Sequence, residues 1–512
     1  VLYGSDAVTG VVQIFTRTGS GPPTGDVAVV TGSRGTLDMR ATLSGGDDAV
    51  AWSLSGGRFR TDGVYDLNND YRNDVASGAL RLRLAERTDA RLAVRWSDNA
   101  YHFPTNGAGE VVDENAFQTG RRLTWSADLG HDLGARVETR LLLGGARLDG
   151  GTDDDPDSPG DTLGAYASWH SSDIVRRFVD LRMNVVVSEA SLLTLGAELE
   201  RQSESAEGES FTQFGTFPNA FEAERETRGY YAQLLAALGP ARLTGGARLE
   251  DGETFGRQWT WRVGATSPLG RLVRVRFAAG TAFKEPTFFQ TFATGFVRGN
   301  PDLRPEQSRS WEVGAELAAD SAGDFVFGAT WFDQKFTDLI DFASAPPEPD
   351  APNYFNIASA RARGLELTAS LQPSPRTRVT AAYTNLRTIV LDTAFSGGPD
   401  AEFGEGLPLL RRPEHSGSLL LGWADADASG NITLLYVGER SDWDFSVFPF
   451  RRITLDAYTR LDASTAIPLG RVGEAPLTAT LSVENLFDTD YEEVFNFRTP
   501  GRTVLVGGRL RL

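Results

Sequence analysis

Apolar and polar side chains alternate with a period of two along one segment after another of this chain, and that pattern commits it to β-structure. Leu477, Ala479, Leu481 and Val483 alternate with Thr478, Thr480, Ser482 and Glu484. Trp311, Val313, Ala315 and Leu317 are interleaved with Ser310, Glu312 and Glu316; Val273, Val275 and Phe277 with Arg274 and Arg276. In Leu80 to Leu84 the polar positions are Arg81 and Arg83, and from Val179 to Val185 they are Asp180, Arg182 and Asn184. Successive side chains of a strand point to opposite faces, so each segment has one apolar and one charged face. No segment reads as a convincing helix.

A soluble sandwich and a membrane barrel share this period, and the connections separate them. Short connections lie near 46–48, 86–89, 131–134, 188–190, 239–240 and 373–375. Long ones fall at roughly 60–74, 99–117, 149–175, 204–223, 284–307, 339–354, 390–411, 441–454 and 487–501, with 161–175 read as loop. The two kinds alternate along the chain. A sandwich has no reason to gather its long loops at one end, whereas an outer-membrane barrel makes tight turns on the periplasmic side and long loops outside. The expected fold is all-β: a transmembrane antiparallel β-barrel of about 22 strands. The apolar content of 40% and the slightly negative mean hydropathy suit strands in which every second residue meets lipid. Trp52, Trp96, Trp125, Trp259, Trp261, Trp331 and Tyr436 lie near strand ends, as an interfacial girdle requires. The charged faces, including Arg81, Arg83, Arg274, Arg276, Glu312, Glu316 and Glu484, should line the lumen, because arginine on the lipid face costs about 2–4 kcal/mol at the midplane.

Several function classes are excluded. The net charge of -19 repels nucleic acid. The absence of Cys removes disulfides, thiolate metal sites and cysteine nucleophiles. His102, His131, His170 and His415 are scattered with no metal-binding spacing, no carboxylate pair is isolated as acid and base, and no Ser/His/Asp arrangement is evident. No enzyme, cofactor or metal site is expected.

Three further segments occur in a fixed order. The chain opens on VLYGSDAVTGVVQIFTR (1–17), with Gly4 and Gly10 beside an apolar strand. In the middle, GTAFKEPTFFQTF leads to a returning strand through Asn300, Pro301, Pro305 and Glu306. The prolines stiffen the return, and Glu306 stands where a cap or ion pair would form. The end carries Asn485, Leu486, Phe487 and Asp488, then Pro500, Gly501 and Arg502. Together these segments resemble TonB-dependent receptors across essentially the whole chain. The resemblance implies that residues 1–18 are the C-terminal remnant of a plug domain, 19–25 a linker and 26–512 the receptor barrel. It implies a monomer in the outer membrane of a Gram-negative bacterium, in contact with outer-membrane lipid and lipopolysaccharide. The receptor would take up a scarce small-molecule nutrient, such as a ferric siderophore or cobalamin. The TonB energy-transducing complex would act through the plug region, most of which, with the export signal, is expected to lie outside this chain. Residues 1–17 are too few to pack alone and should rest loosely at the periplasmic mouth of a hydrated lumen. The rivals are a passive porin-like diffusion channel and a structural or adhesive barrel.

Aromatic loop residues are the candidate ligand contacts. Phe211, Phe214, Phe217 and Phe221 form one group, Phe288, Phe289, Phe292 and Phe296 a second, and Trp443, Phe445, Phe448 and Phe450 a third. The competing reading is that they pack loop on loop or meet lipopolysaccharide. Asp62, Asp66, Asn68, Asn69, Asp70 and Asp74 are oxygen-rich but lack regular ligand spacing, so a solvated turn is favoured over calcium.

Overall fold

The alternation becomes strands wherever it was clear, and the strands run beyond it. A computed structural model describes residue 10 and residues 18–318, 324–343, 348, 351–393, 404–447 and 450–512, without the side chains of residues 357 and 358. The first strands are β1 (Gly21–Gly32), β2 (Leu37–Gly46), β3 (Val50–Thr61), β4 (Tyr71–Ala85), β5 (Thr88–His102), β6 (Phe117–Asp132) and β7 (Val137–Asp154). Then come β8 (Ala165–Ser188), β9 (Ser191–Thr212), β10 (Gly215–Leu238), β11 (Ala241–Gly252), β12 (Gly256–Leu269) and β13 (Val273–Lys284). A five-residue helix, α1 (Phe288–Phe292), precedes β14 (Glu306–Ala318), β15 (Phe325–Phe342), β16 (Tyr354–Ser374), β17 (Thr377–Thr393), β18 (His415–Ala424) and β19 (Ser429–Val437). The last are β20 (Arg440–Asp444), β21 (Arg451–Leu455), β22 (Tyr458–Val472), β23 (Ala475–Glu484) and β24 (Thr503–Arg511).

Each strand pairs antiparallel with its neighbours, and β1 also pairs with β24, so a 22-stranded sheet closes into a barrel. The hairpin β20–β21 stands apart from it, and β19 pairs directly with β22.

The apolar face is outside. Leu54, Val94, Trp125, Val275, Phe277, Val313 and Trp331 are exposed, and in-register pairs such as Val94–Trp125 and Val313–Trp331 make continuous rows. Trp52 belongs to the same surface, beside Leu54, Leu80 and Trp125. The opposite, concave face carries the charges. Arg81 and Arg83 lie one residue out of phase with Leu80, and Arg274 and Arg276 alternate with Val275 and Phe277. Arg274 lies 3.6 Å from Glu316, and Arg276 donates to Thr330 Oγ1 at 2.5 Å. Inward curvature lets side chains reach over a whole strand. Arg140 on β7 meets Asp89 on β5 at 3.2 Å, passing over Gly130 on β6, where a Cβ would stand 2.6 Å from both. Tyr231 on β10 donates to Asp180 on β8 at 2.7 Å, passing over Gly196 on β9.

At one end the connections are tight. In the first of these turns Asp47 accepts the amides of Val50 and Ala49 at 2.8 Å each, which holds its carboxyl below the usual carboxylate range. At the other end three expected loops are ordered differently. The stretch 161–175 is not loop throughout, because β8 begins at Ala165. The stretch 204–223 is a β-hairpin joined by Gln213 and Phe214, with β9 and β10 paired from Thr212–Gly215 down to Ser191–Ala236. The stretch 441–454 contains most of β20–β21. In all three, polar and aromatic residues occur on both faces, so the period that marks a lipid-facing strand is missing.

Candidate functional site

The long-loop end builds a mouth, and its best-packed part joins two of the aromatic groups. Phe217 and Phe221 share the inward face of β10 with Arg225, while Phe211 lies on the outward face and Phe214 sits at the hairpin tip, 80% exposed. The loop between β13 and β14 folds onto that inward face. Thr287 starts α1 with a reciprocal cap: its hydroxyl accepts the Gln290 amide at 3.1 Å, and its own amide donates to Gln290 Oε1 at 2.9 Å. One turn of helix is not stable alone, so packing holds it. Phe288 is buried with Ala206 and Phe221, and Phe289, Phe292 and Ala223 lie against them. Phe217 meets Phe296 edge-on, with centroids 5.4 Å apart.

Arg225 is the clamp of this arrangement. Its guanidinium lies 2.9 Å from Glu285, donates to Pro286 O at 2.8 Å and to Gln202 Oε1 at 2.7 Å, and stands 4.4 Å from the centre of the Phe288 ring. A buried ion pair is tolerable only when its remaining polar atoms find partners, as these donors do. Farther along, Thr294 N donates to Asn219 Oδ1 at 2.9 Å. Asn353 holds Arg298 at both its amide and its carbonyl, at 2.9 and 3.0 Å. Phe289 and Phe342 both approach the Tyr354 ring, at 6.4 and 5.5 Å. The loop is thereby fastened between β10 and the start of β16. Sequence reasoning named the phenylalanines and missed Arg225, Glu285, Asn219, Thr294, Asn353 and Tyr354. The one available signal was a charged residue before proline, Glu285-Pro286, inside an aromatic run.

The motif residues are fastenings of the same loops. Asn300 donates to Tyr354 O at 2.8 Å and accepts the Asp302 amide at 2.9 Å, while Pro301 is exposed and Pro305 buried beside Leu303. Glu306 opens β14, accepting the Ile340 amide at 2.9 Å with Lys284 3.5 Å away. Asn485 is 1% exposed with φ 51°, and its amide group exchanges two hydrogen bonds with the Thr489 backbone at 2.8 and 2.9 Å. That side-chain-closed turn suits the left-handed tolerance of Asn. Leu486 N donates to Leu461 O at 2.7 Å, and Phe487 is exposed. Arg502 N donates to Asp488 Oδ1 at 2.6 Å, and a Cβ at Gly501 would stand 2.8 Å from that oxygen. Gly10 has open space around it, and Gly4 lies outside the described residues.

The third aromatic group does not join the first two. Trp443 is buried within β20–β21, Phe445 is 37% exposed and meets Phe450 edge-on, and Phe448 lies outside the described residues. Asp442, wholly buried, ties this hairpin to two loops: Arg411 Nε and the Trp443 amide donate to Oδ1, and the Phe495 amide donates to Oδ2 at 2.8 Å.

Residues 62–70 line a polar groove of about 490 Å³ with Arg34. Their side chains build turns: Asn69 Oδ1 accepts the Tyr65 amide at 3.0 Å, and Asn68 donates to Ala116 O at 3.0 Å. Across from them Asn115 joins the loop after β7 through Asp155 O at 2.8 Å and Asp157 at 3.0 Å. Among the described residues no group of three or more His, Asp or Glu side chains is arranged to hold a metal ion.

Residues 22–486 match the family model described as TonB dependent receptor-like, beta-barrel. A mutant ferric enterobactin receptor of Pseudomonas aeruginosa superposes with a TM-score of 0.77 at 16% identity, over 100% of this chain and 83% of that one. The siderophore receptor PirA of Acinetobacter baumannii gives 0.76 at 15% identity, over 100% and 83%. The ferripyoverdine receptor of the outer membrane of Pseudomonas aeruginosa, bound to ferripyoverdine, gives 0.76 at 14% identity, over 99% and 75%.

Proposed function

The chain belongs to the TonB-dependent receptor family, and on that premise we propose that it is the outer-membrane barrel of a receptor for a ferric siderophore or a comparably scarce nutrient such as cobalamin. The observation that carries this reading is the aromatic floor of the mouth, where Phe217, Phe221, Phe289, Phe292 and Phe296 meet on the inward face of β10. A planar, hydrophobic chelate or macrocycle needs such a surface, with a few polar groups to orient it. The solved relatives named above include receptors whose ligands are ferric enterobactin and ferripyoverdine. The outward rows of Leu, Val and Trp are the surface a bilayer core would cover, and the charged concave face is a hydrated path. In this reading residues 1–18 end the plug, 19–25 link it to the barrel, the barrel extends to residue 512 as a monomer, and TonB acts through the plug. A passive diffusion channel has no use for an aromatic loop clamped over its mouth.

The test is direct binding. The purified chain is titrated with ferric enterobactin, ferripyoverdine and cobalamin, with tryptophan fluorescence as the readout. One class should bind, and the double variant Phe289→Ala with Phe292→Ala should bind it about tenfold more weakly, the cost of losing two central aromatic contacts. Equal affinity in the variant, or no saturable binding of any of the three, would defeat the proposal.

A further inference from the structure

Four guanidinium groups on the concave face of β4 to β6 stand without a protein partner. Arg81 and Arg83 on β4, Arg95 on β5 and Arg122 on β6 are exposed. Among the described residues their side chains form no ion pair and no hydrogen bond. Their direction follows from the alternation: Arg95 stands between the outward Val94 and Trp96, and Arg122 beside the outward Leu123, which is in register with Trp96. Arg81 lies directly opposite Arg91, and like charges so placed repel. The carboxylates in register with this group are already engaged. Asp89 faces Arg83 and Asp128 faces Arg91, yet both are held by Arg140 of β7, at 3.2 and 2.9 Å.

These charges climb the wall of the lumen. Arg81 is two residues above Arg83 on β4, Arg95 is level with Ser77, and Arg122 is level with Ser97, which faces Val75. From Arg83 to the level of Val75 the rise is about 27 Å along the strands, most of the width of the apolar band once strand tilt is allowed for. The inward positions around them are small. Ser55 on β3, Ser77 and Ala79 on β4, Ala93 and Ser97 on β5 and Thr124 on β6 leave the guanidinium groups open to the lumen. In a chain of net charge -19, this wall is a local reversal of sign.

We propose that Arg81, Arg83, Arg95 and Arg122 form a ladder that binds small solutes bearing several phosphate or carboxylate groups and guides them along this wall. Planar guanidinium forks match the oxygens of both groups. Cationic side chains lining a pore favour anions, and low-dielectric walls focus their field. Because the cations are stepped along the wall, an anion leaving one meets the next, so attraction at entry need not become a trap. The solute would supply the negative charge that Arg81 and Arg91 lack across their shared register position. This inference rests on the closed barrel and does not depend on which nutrient the mouth captures.

The full chain in detergent micelles is titrated with inorganic tripolyphosphate and followed by calorimetry. The quadruple variant Arg81→Gln, Arg83→Gln, Arg95→Gln, Arg122→Gln should bind it about tenfold more weakly. The pair Arg95→Gln with Arg122→Gln should lose part of the affinity, which keeps the test valid if the quadruple variant fails to fold. A control removes three outward arginines that have carboxylate partners, through Arg58→Gln, Arg121→Gln and Arg228→Gln, and should match the unaltered chain. In a planar bilayer under a potassium chloride gradient, the reversal potential of the unaltered chain should report a preference for chloride that the quadruple variant loses; where no current flows, the calorimetry decides alone. The proposal is overturned if tripolyphosphate does not bind saturably, if the folded variants keep full affinity, if the control loses as much, or if the unaltered chain prefers potassium.

Discussion

Gly196 has no side chain, and Tyr231 occupies the space one would need: a Cβ there would stand 2.2 Å from the ring. The ring cannot withdraw without giving up its 2.7 Å bond to Asp180, which also holds Arg182 at 3.3 Å. Gly196→Ala should therefore destabilise the barrel by about 1–3 kcal/mol, read as a lower urea midpoint, while Gly245→Ala, with nothing within 4 Å of its Cβ, should cost little. Asp154, at the outer tip of β7, responds to pH. Its own burial, with the charges of Asp113, Asp157 and Asp161, pushes its carboxyl up to about 7. An acid whose folded value lies above its unfolded value of about 3.9 binds more protons folded than unfolded between the two, so stability falls as pH rises from about 4 to about 7. Amide exchange in residues 103–116, corrected for intrinsic rates, should be faster at pH about 8 than at about 5, and Asp154→Asn should abolish the difference. The sequence shows such residues as an acidic loop; that Asp154 is crowded by Asp113, distant in sequence, is a fact of folding.

The element that carries the mouth is the hairpin β9–β10 with the loop that lies on it. One arginine holds the start of that loop, so order there should depend on the carboxylate facing it. Glu285→Gln leaves the shape and removes the charge, and breaking a buried pair costs about 3–5 kcal/mol. Hydrogen exchange should rise across residues 286–299 and stay unchanged in β11 and β12; protection throughout would show that the aromatic contacts suffice. This element was only half legible. The phenylalanines stood out, yet 204–223 read as loop, because where a strand rises clear of lipid both its faces are wetted and the alternation disappears. The clamp was hidden for another reason. Arg225 and Glu285 are distant in sequence, and neither has a local pattern that predicts the other. The β13–β14 and β23–β24 segments were legible as motifs, because Asn300 and Asn485 are turn-formers whose side chains close bonds with nearby backbone.

Across the whole molecule the alternation and the loop lengths were enough to give the closed 22-strand barrel, since lipid outside and water inside impose the same constraint on every strand. A lumen lined by Arg81, Arg83, Arg274, Arg276, Glu312, Glu316 and Glu484 should carry ions. This 512-residue chain in a planar bilayer is expected to show a large, weakly gated conductance; a silent barrel would mean that the loops seal it. The closure between β1 and β24 has a further consequence. Seven in-register residue pairs join these strands, against twenty-two between β9 and β10. Every other pairing in the barrel lies between strands adjacent in sequence, apart from β19–β22, where a hairpin intervenes. The chain can therefore zip up hairpin by hairpin through short loop closures, while its two outermost strands wait for a single closure spanning almost the entire polypeptide. Until that moment the growing sheet exposes two sticky edges, and the shortest seam in the cylinder is both the last to form and the first to part under load.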